Sequence, residues 1–298
     1  MKKFMDKQPL LFKLAHLSDL HFSKIGFSLK SLFTKESIGN LNLLLHRKNT
    51  YRPLDAAGLI QTLKQELISH VVITGDLSTT SSEKEFIQAK QLISLLEQEK
   101  FPVFVIPGNH DNYTKHTHKN KIFYRHFHPS AQPLLGYDLK THKTGAYYLG
   151  DHVWLVLIDT TEPAPVYFST GRYDTQCDLH LKTLLQSIPS SDLVVVLNHF
   201  PLLDIESKRR RLIGSELLQN TLKQFPNVKL YLHGHTHQPN TLDLRNAQLP
   251  IVSDSGSLSH YKKGSWNSLE IYPSSCQITN FRQHKRSWVP YKHFSYTW

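Results

Sequence analysis

The feature that most constrains this chain is a junction that recurs five times: a short apolar run breaks off into a small group of Asp, Asn and His. Leu11 to Leu17 runs into Ser18-Asp19-Leu20-His21, Val71 to Thr74 into Gly75-Asp76, and Val103 to Ile106 into Pro107-Gly108-Asn109-His110-Asp111. Leu193 to Leu197 is followed by Asn198-His199, and Val228 to Leu232 by His233-Gly234-His235-Thr236-His237. Short runs rich in Val, Ile and Leu read as buried strands. In α/β sheets, ligands bind beyond the carboxyl ends of such strands. Five such ends at one rim would bring five polar groups together.

Between the strands the period changes. Leu54 to Ile68 reads as a helix carrying Leu59, Leu63 and Leu67, and Ser82 to Glu99 as a second one with a capping-box start at Ser82 and Glu85. A further strand spans Val153 to Asp159, a loop with Pro163, Pro165 and Gly171 spans 160–174, and helices follow near Asp178 to Ser187 and Ser215 to Gln224. From Ile251 onward, Ser, Tyr and Trp predict short antiparallel strands that close the sheet. The 298 residues show no repeat, low-complexity tract or linker, so the expectation is a single α/β domain over 1–298. Cys177 and Cys276 are too few for a disulfide framework and neither has a second Cys at metal-ligand spacing. No apolar stretch approaches the ~18 residues of a membrane span, and Met1 to Lys13 lacks the form of a signal peptide, which predicts a cytoplasmic protein.

Carboxylate, imidazole and amide oxygen suit divalent cations such as Mn, Fe, Co or Zn, and the lack of Cys argues against a structural zinc site. Asp19 and His21 stand two apart, as do His235 and His237, so on extended strand ends each pair points one way. Gly75, Gly108 and Gly234 precede ligand positions and permit tight turns. Singly, Asp19 reads as a turn cap, His199 as a core histidine and Asn109 as a turn residue. Those readings fail jointly, since each must hold at every cluster independently. His233 reads as structural, and His116, His118, His126 and His128 as a solvated surface group.

With these residues in place, the chain resembles the calcineurin-like metallophosphoesterases. Their motif set is D-x-H, G-D, G-N-H-D/E, H and G-H-x-H. It occurs here in order as Asp19-Leu20-His21, Gly75-Asp76, Gly108-Asn109-His110-Asp111, His199 and Gly234-His235-Thr236-His237, within about residues 12–260. The resemblance implies a four-layer α/β/β/α sandwich with two central mixed sheets. It implies two divalent metal ions, Mn²⁺ foremost, with Fe, Co, Mg or Zn as alternatives. One would be held by Asp19, His21 and His237, the other by Asn109, His199 and His235, with Asp76 bridging. It further implies that His110 stabilises the phosphoryl oxygens or protonates the leaving oxygen, its ring held by Asp111. Two such cations clamp phosphate oxygens and acidify a water for in-line attack.

The formal charge of +11 favours anionic partners. Residues 22–53 form a basic, leucine-rich insertion in which Leu41, Leu44 and Leu45 lie beside Arg47, Lys48 and Arg52. Such a segment fits an acidic membrane surface, an acyl-chain pocket beside the metals, or a lid helix docked on the core. Ile38 to Lys48, with Asn112-Tyr113, is also similar to a bacterial branch of the family. That branch includes a UDP-2,3-diacylglucosamine pyrophosphatase type of lipid A biosynthesis, which releases UMP and lipid X. The substrate expected on this resemblance is an acylated nucleotide-sugar, with the protein peripheral on the inner face of the cytoplasmic membrane. The alternatives are a cyclic-nucleotide or broad-specificity phosphodiesterase. A nuclease draws only on the charge and on Lys208-Arg209-Arg210-Arg211, with no nucleic-acid-binding signature beside it. A non-catalytic scaffold conflicts with a complete ligand set. No protein partner is implied.

Overall fold

The computed structural model describes residues 8–23, 54–129, 131–165, 167–285 and 287–298. Most of the 22–53 insertion, including Leu41, Leu44, Leu45, Arg47, Lys48 and Arg52, lies outside the described residues.

The first half runs β1 (Phe12–Leu17), α1 (Ala56–Gln65), β2 (His70–Ile73), α2 (Glu83–Gln98) and β3 (Val103–Val105). The second continues with β4 (Thr144–Gly150), β5 (Val153–Ile158), β6 (Gly171–Arg172), α3 (Thr175–Ser187), β7 (Leu193–Leu197), β8 (Leu212–Ile213), α4 (Ser215–Leu222) and β9 (Val228–His233). β10 (Asn240–Asp243), β11 (Ile251–Asp254), β12 (Ser265–Tyr272), β13 (Ser275–His284) and β14 (Ser287–Thr297) complete it; helical turns of five residues or fewer are left unnumbered.

Strand alternation sorts these side chains into three cores. Val71 and Ile73 face outward onto a core with Leu59 and Leu63 of α1 and Phe86, Ala89 and Leu96 of α2. Val72, between them, faces a middle core with Leu14, Leu155, Leu157, Leu230, Leu232 and Ile278. Leu193, Val195 and Leu197 join that middle core. Val194 and Val196 point the other way, onto Leu181 and Leu185 of α3 and Leu218 and Leu222 of α4. Continuous apolar runs are what doubly covered strands require. The result is the expected α/β/β/α sandwich. One sheet has the order β14-β13-β12-β1-β2-β3 and the other β10-β11-β9-β7-β5-β4. Both are mixed: β1, β2 and β3 run parallel, as do β5, β7, β9 and β11, with antiparallel strands outside them.

The helix starts follow their caps. Glu85 Oε2 accepts from the backbone N–H of Ser82 (3.2 Å) and of Thr80 (2.9 Å), which closes the predicted box at the head of α2. α3 begins at Thr175, three residues before the expected start, because the Asp174 carboxylate accepts from Cys177 N at 2.9 Å. One further expectation is corrected. The strands after β11 are long, at 8, 10 and 11 residues. The aromatic tail is a sheet strand, with Trp288 in the first core and Phe294, Tyr296 and Trp298 against the middle one. Cys177 and Cys276 are buried core fillers. Among the described residues, no helix is long and apolar enough to cross a membrane.

Candidate metal centre

Four ligand atoms, one each from Asp19, His21, Asp76 and His237, lie within 4.8 Å of one another at the carboxyl ends of β1, β2 and β9. His237 Nε2 is 2.9 Å from Asp19 Oδ1 and 3.1 Å from His21 Nε2. Asp19 keeps Oδ1 on this group because its other oxygen is committed: Oδ2 accepts from Ser18 Oγ (2.7 Å) and from His235 N (3.0 Å). Burial alone would push the Asp19 carboxyl up. The His237 and His21 imidazoles beside it hold it well below the usual carboxylate range instead.

A second group adjoins the first. Asn109 Oδ1 is 2.9 Å from His235 Nδ1 and 3.1 Å from His199 Nε2, and the two ring nitrogens are 3.3 Å apart. The far side of each ring is fixed by a carbonyl. His199 Nδ1 donates to Thr74 O (2.7 Å) and His235 Nε2 to Arg210 O (2.8 Å). Burial lowers the pKa of both imidazoles, that of His235 strongly. Each neutral ring therefore turns a lone pair inward. Two imidazole lone pairs and an amide oxygen facing one another repel unless a cation lies among them, so this donor set fits a divalent metal. Asp76 stands between the groups. Its Oδ2 is 3.8 Å from His21 Nε2, and its Oδ1 is 3.5 Å from His199 Nε2.

All seven residues expected to hold metal thus converge, but not by the route expected. Strand alternation does not aim them. β1 ends at Leu17 and β9 at His233, and the residues beyond leave the extended region. Asp19, His21, Asp76, His235 and His237 all adopt left-handed backbone conformations, with φ between +46° and +71°. For residues with a Cβ this costs about 1–3 kcal/mol each, and such strain concentrates at functional sites. The turns pack so closely that a Cβ on Gly108 would overlap the Asp76 carboxylate, and one on Gly234 would overlap Ser18 Oγ and Asp19 Oδ2. Gly234→Ala is therefore expected to weaken divalent-metal binding roughly 10- to 100-fold. Calorimetric titration of the metal-stripped protein checks it, and unchanged affinity would mean that the 18–19 turn can step aside.

The expected tie between Asp111 and the His110 ring is corrected. His110 Nδ1 donates to the carbonyl of Thr79 at 2.7 Å. The Asp111 carboxylate accepts from the backbone N–H of Leu77 (3.1 Å), Ser78 (2.8 Å) and Gly108 (2.9 Å), and from Ser78 Oγ (2.8 Å). It joins the turn carrying Asp76 to the turn carrying Asn109 and His110. Burial still pushes its carboxyl up to about 6, against the pull of those bonds. His110 stacks on Tyr113, with ring centroids 5.4 Å apart and planes 9° from parallel.

Arg210 was read only as part of a basic run. Its carbonyl accepts a hydrogen bond from His235 Nε2, and its guanidinium donates to His235 O at 2.9 Å. Main-chain acceptors such as Thr74, Thr79 and Arg210 leave no mark in side-chain chemistry, so no motif announces them. His233 is buried beside Asp254 and keeps its structural reading. In the other histidine group, His126 Nε2 pairs with Glu83 at 2.9 Å, while His116 and His128 are exposed.

Residues 12–239 match the family described as calcineurin-like phosphoesterase. The chain belongs to the calcineurin-like phosphoesterases. Over 186 residues, 61% of its length, it is 29% identical to a 3′,5′-cyclic adenosine monophosphate phosphodiesterase, CpdA, of Haemophilus influenzae. That match spans 60% of the relative. Over 285 residues it is 23% identical to the glycerophosphodiester phosphodiesterase GpdQ of Enterobacter lignolyticus, covering 94% of this chain and 90% of the relative. A dimetal phosphatase from Danio rerio superposes with a TM-score of 0.69 at 14% identity, over 97% of this phosphoesterase and 99% of that chain. A likeness at that identity speaks for the fold alone.

Proposed function

We propose that this chain is a dinuclear-metal phosphodiester hydrolase, with Mn²⁺ as the first metal to test. The observation that carries the reading is the convergence of seven donors in two adjoining groups that share Asp76. Asp19, His21 and His237 would hold one ion, Asn109, His199 and His235 the other. When bound, the two ions supply positive charge to the phosphoryl oxygens and acidify a water near neutral pH. The protein does the rest by placement. The carbonyls of Thr74 and Arg210 keep His199 and His235 in the tautomers that face the centre. The carbonyl of Thr79 holds His110 by Nδ1, which assigns Nε2 to proton delivery at the leaving oxygen. Asp111 is a positioning residue that fixes His110 through the backbone of its own turn.

For the substrate, the two relatives named above act on a cyclic nucleotide and on glycerophosphodiesters. They favour a phosphodiester over UDP-2,3-diacylglucosamine, whose support is confined to the sequence of residues 38–48 and 112–113. Purified protein with Mn²⁺, and with EDTA as control, is expected to hydrolyse bis(p-nitrophenyl) phosphate and at least one of cyclic AMP and a glycerophosphodiester. UMP release from UDP-2,3-diacylglucosamine, with no turnover of the diesters, would replace this reading by the lipid one. Silence on all four substrates with Mn²⁺ bound would defeat both.

A further inference from the structure

Thr236 stands between the two histidines of the last motif, and its side chain takes no place in either donor group. Its hydroxyl donates to Asp254 Oδ2 at 2.6 Å and accepts from the backbone N–H of Gln238 at 3.2 Å. The second bond closes around His237, whose backbone sits at φ +58°. Asp254 is itself held firmly. It lies at the end of β11 opposite His233 and is buried; its Oδ1 accepts from Gly256 N at 2.6 Å. Its carbonyl accepts from Asn267 Nδ2 at 3.1 Å, a bond that comes from β12 in the other sheet.

His237 is the member of its group that packing confines least. Its side chain is 25% exposed, whereas those of Asp19, His21 and Asp76 are 0–2% exposed. An imidazole so placed needs its backbone fixed by something other than close contact.

We propose that Asp254 is a positioning residue for the metal centre: through the Thr236 hydroxyl it locks the 236–238 turn and thereby sets where His237 presents Nε2. This rests on the dinuclear-metal reading above. An O–H···O bond of 2.6 Å is short and directional enough to hold such a turn. Valine at 236 keeps the shape of threonine but can neither donate to Asp254 nor accept from Gln238.

The test is Mn²⁺ titration of the metal-stripped full chain by calorimetry, beside kcat for bis(p-nitrophenyl) phosphate at increasing Mn²⁺. Thr236→Val and Asp254→Asn are each expected to weaken one of two Mn²⁺ sites roughly 10- to 100-fold, the usual effect of losing an outer partner. The other site should hold. Saturating Mn²⁺ should return most of kcat, Thr236→Ser should bind as wild type, and the double variant should be no weaker than the worse single one. Thermal melting of the stripped protein should move little, which separates positioning from a general loss of structure. Should Asp254→Asn not fold, the isosteric Thr236→Val decides alone. Wild-type affinities in Thr236→Val, or losses that multiply in the double variant, overturn the proposal. Absence of any Mn²⁺ binding by the wild type would instead bring down the dinuclear reading, and this inference with it.

Discussion

Asp76→Asn is expected to leave the chain folded and to lower kcat for a phosphodiester by about 10³-fold or more, with fewer than two metals bound. The Asp76 oxygens face different groups, Oδ2 toward His21 and Oδ1 toward His199. Asparagine keeps the shape but only one of those oxygens. Its NH₂ must then point at imidazole lone pairs that are turned inward to receive a cation. Losing one electrostatic partner of a transition state already costs about 10²- to 10³-fold, and this change weakens both halves of the centre at once. The measurement is metal content per chain together with kcat. Two tightly held metals and near-wild-type turnover would remove Asp76 from the bridging position.

His110→Ala should separate proton delivery from metal binding. General acid catalysis contributes about 10²- to 10⁴-fold when the leaving group is a poor one. That loss is expected on an alkyl diester such as a glycerophosphodiester, with both metals retained. On bis(p-nitrophenyl) phosphate, whose leaving phenolate needs no proton, the loss should be far smaller. Equal losses on the two substrates would assign His110 to the phosphoryl oxygens instead, and loss of metal would make it a support for the Asn109 turn.

Much of this was legible in the sequence, for a physical reason. A strand covered on both faces must be apolar throughout, so an abrupt Asp, Asn or His marks where the strand leaves the sandwich. That is why Val71 to Thr74 and Leu193 to Leu197 could be placed almost to the residue and the polar clusters named, while the choice of seven donors among them rests on the family resemblance. The geometry of convergence was not legible. Alternation on an extended strand would aim Asp19 and His21 together, but both adopt left-handed conformations, with Asp19 bonded through its N to Gly75 O and closely approached by Gly234, and His21 N bonded to Asp76 O. The role of Asp111 differs from the one the resemblance implies, that of holding the His110 ring. Here three backbone N–H groups of two neighbouring turns reach that carboxylate first. β4 was not foreseen because Gly145 and Gly150 interrupt its pattern. The length of β12 to β14 was hidden by the polar residues that face away from the cores.

The donors are divided between the sheets. Asp19, His21, Asp76 and Asn109 follow strands of one, while His199, His235 and His237 follow strands of the other, and the middle core is the seam on which the two are seated. The spacing of the centre is therefore a gauge of that seam. A methylene removed at Leu157 or Leu230 is expected to change how deeply one sheet settles on the other, and with it the spacing of the donors. In this architecture the interior between the sheets shapes the donor groups as much as the rim does.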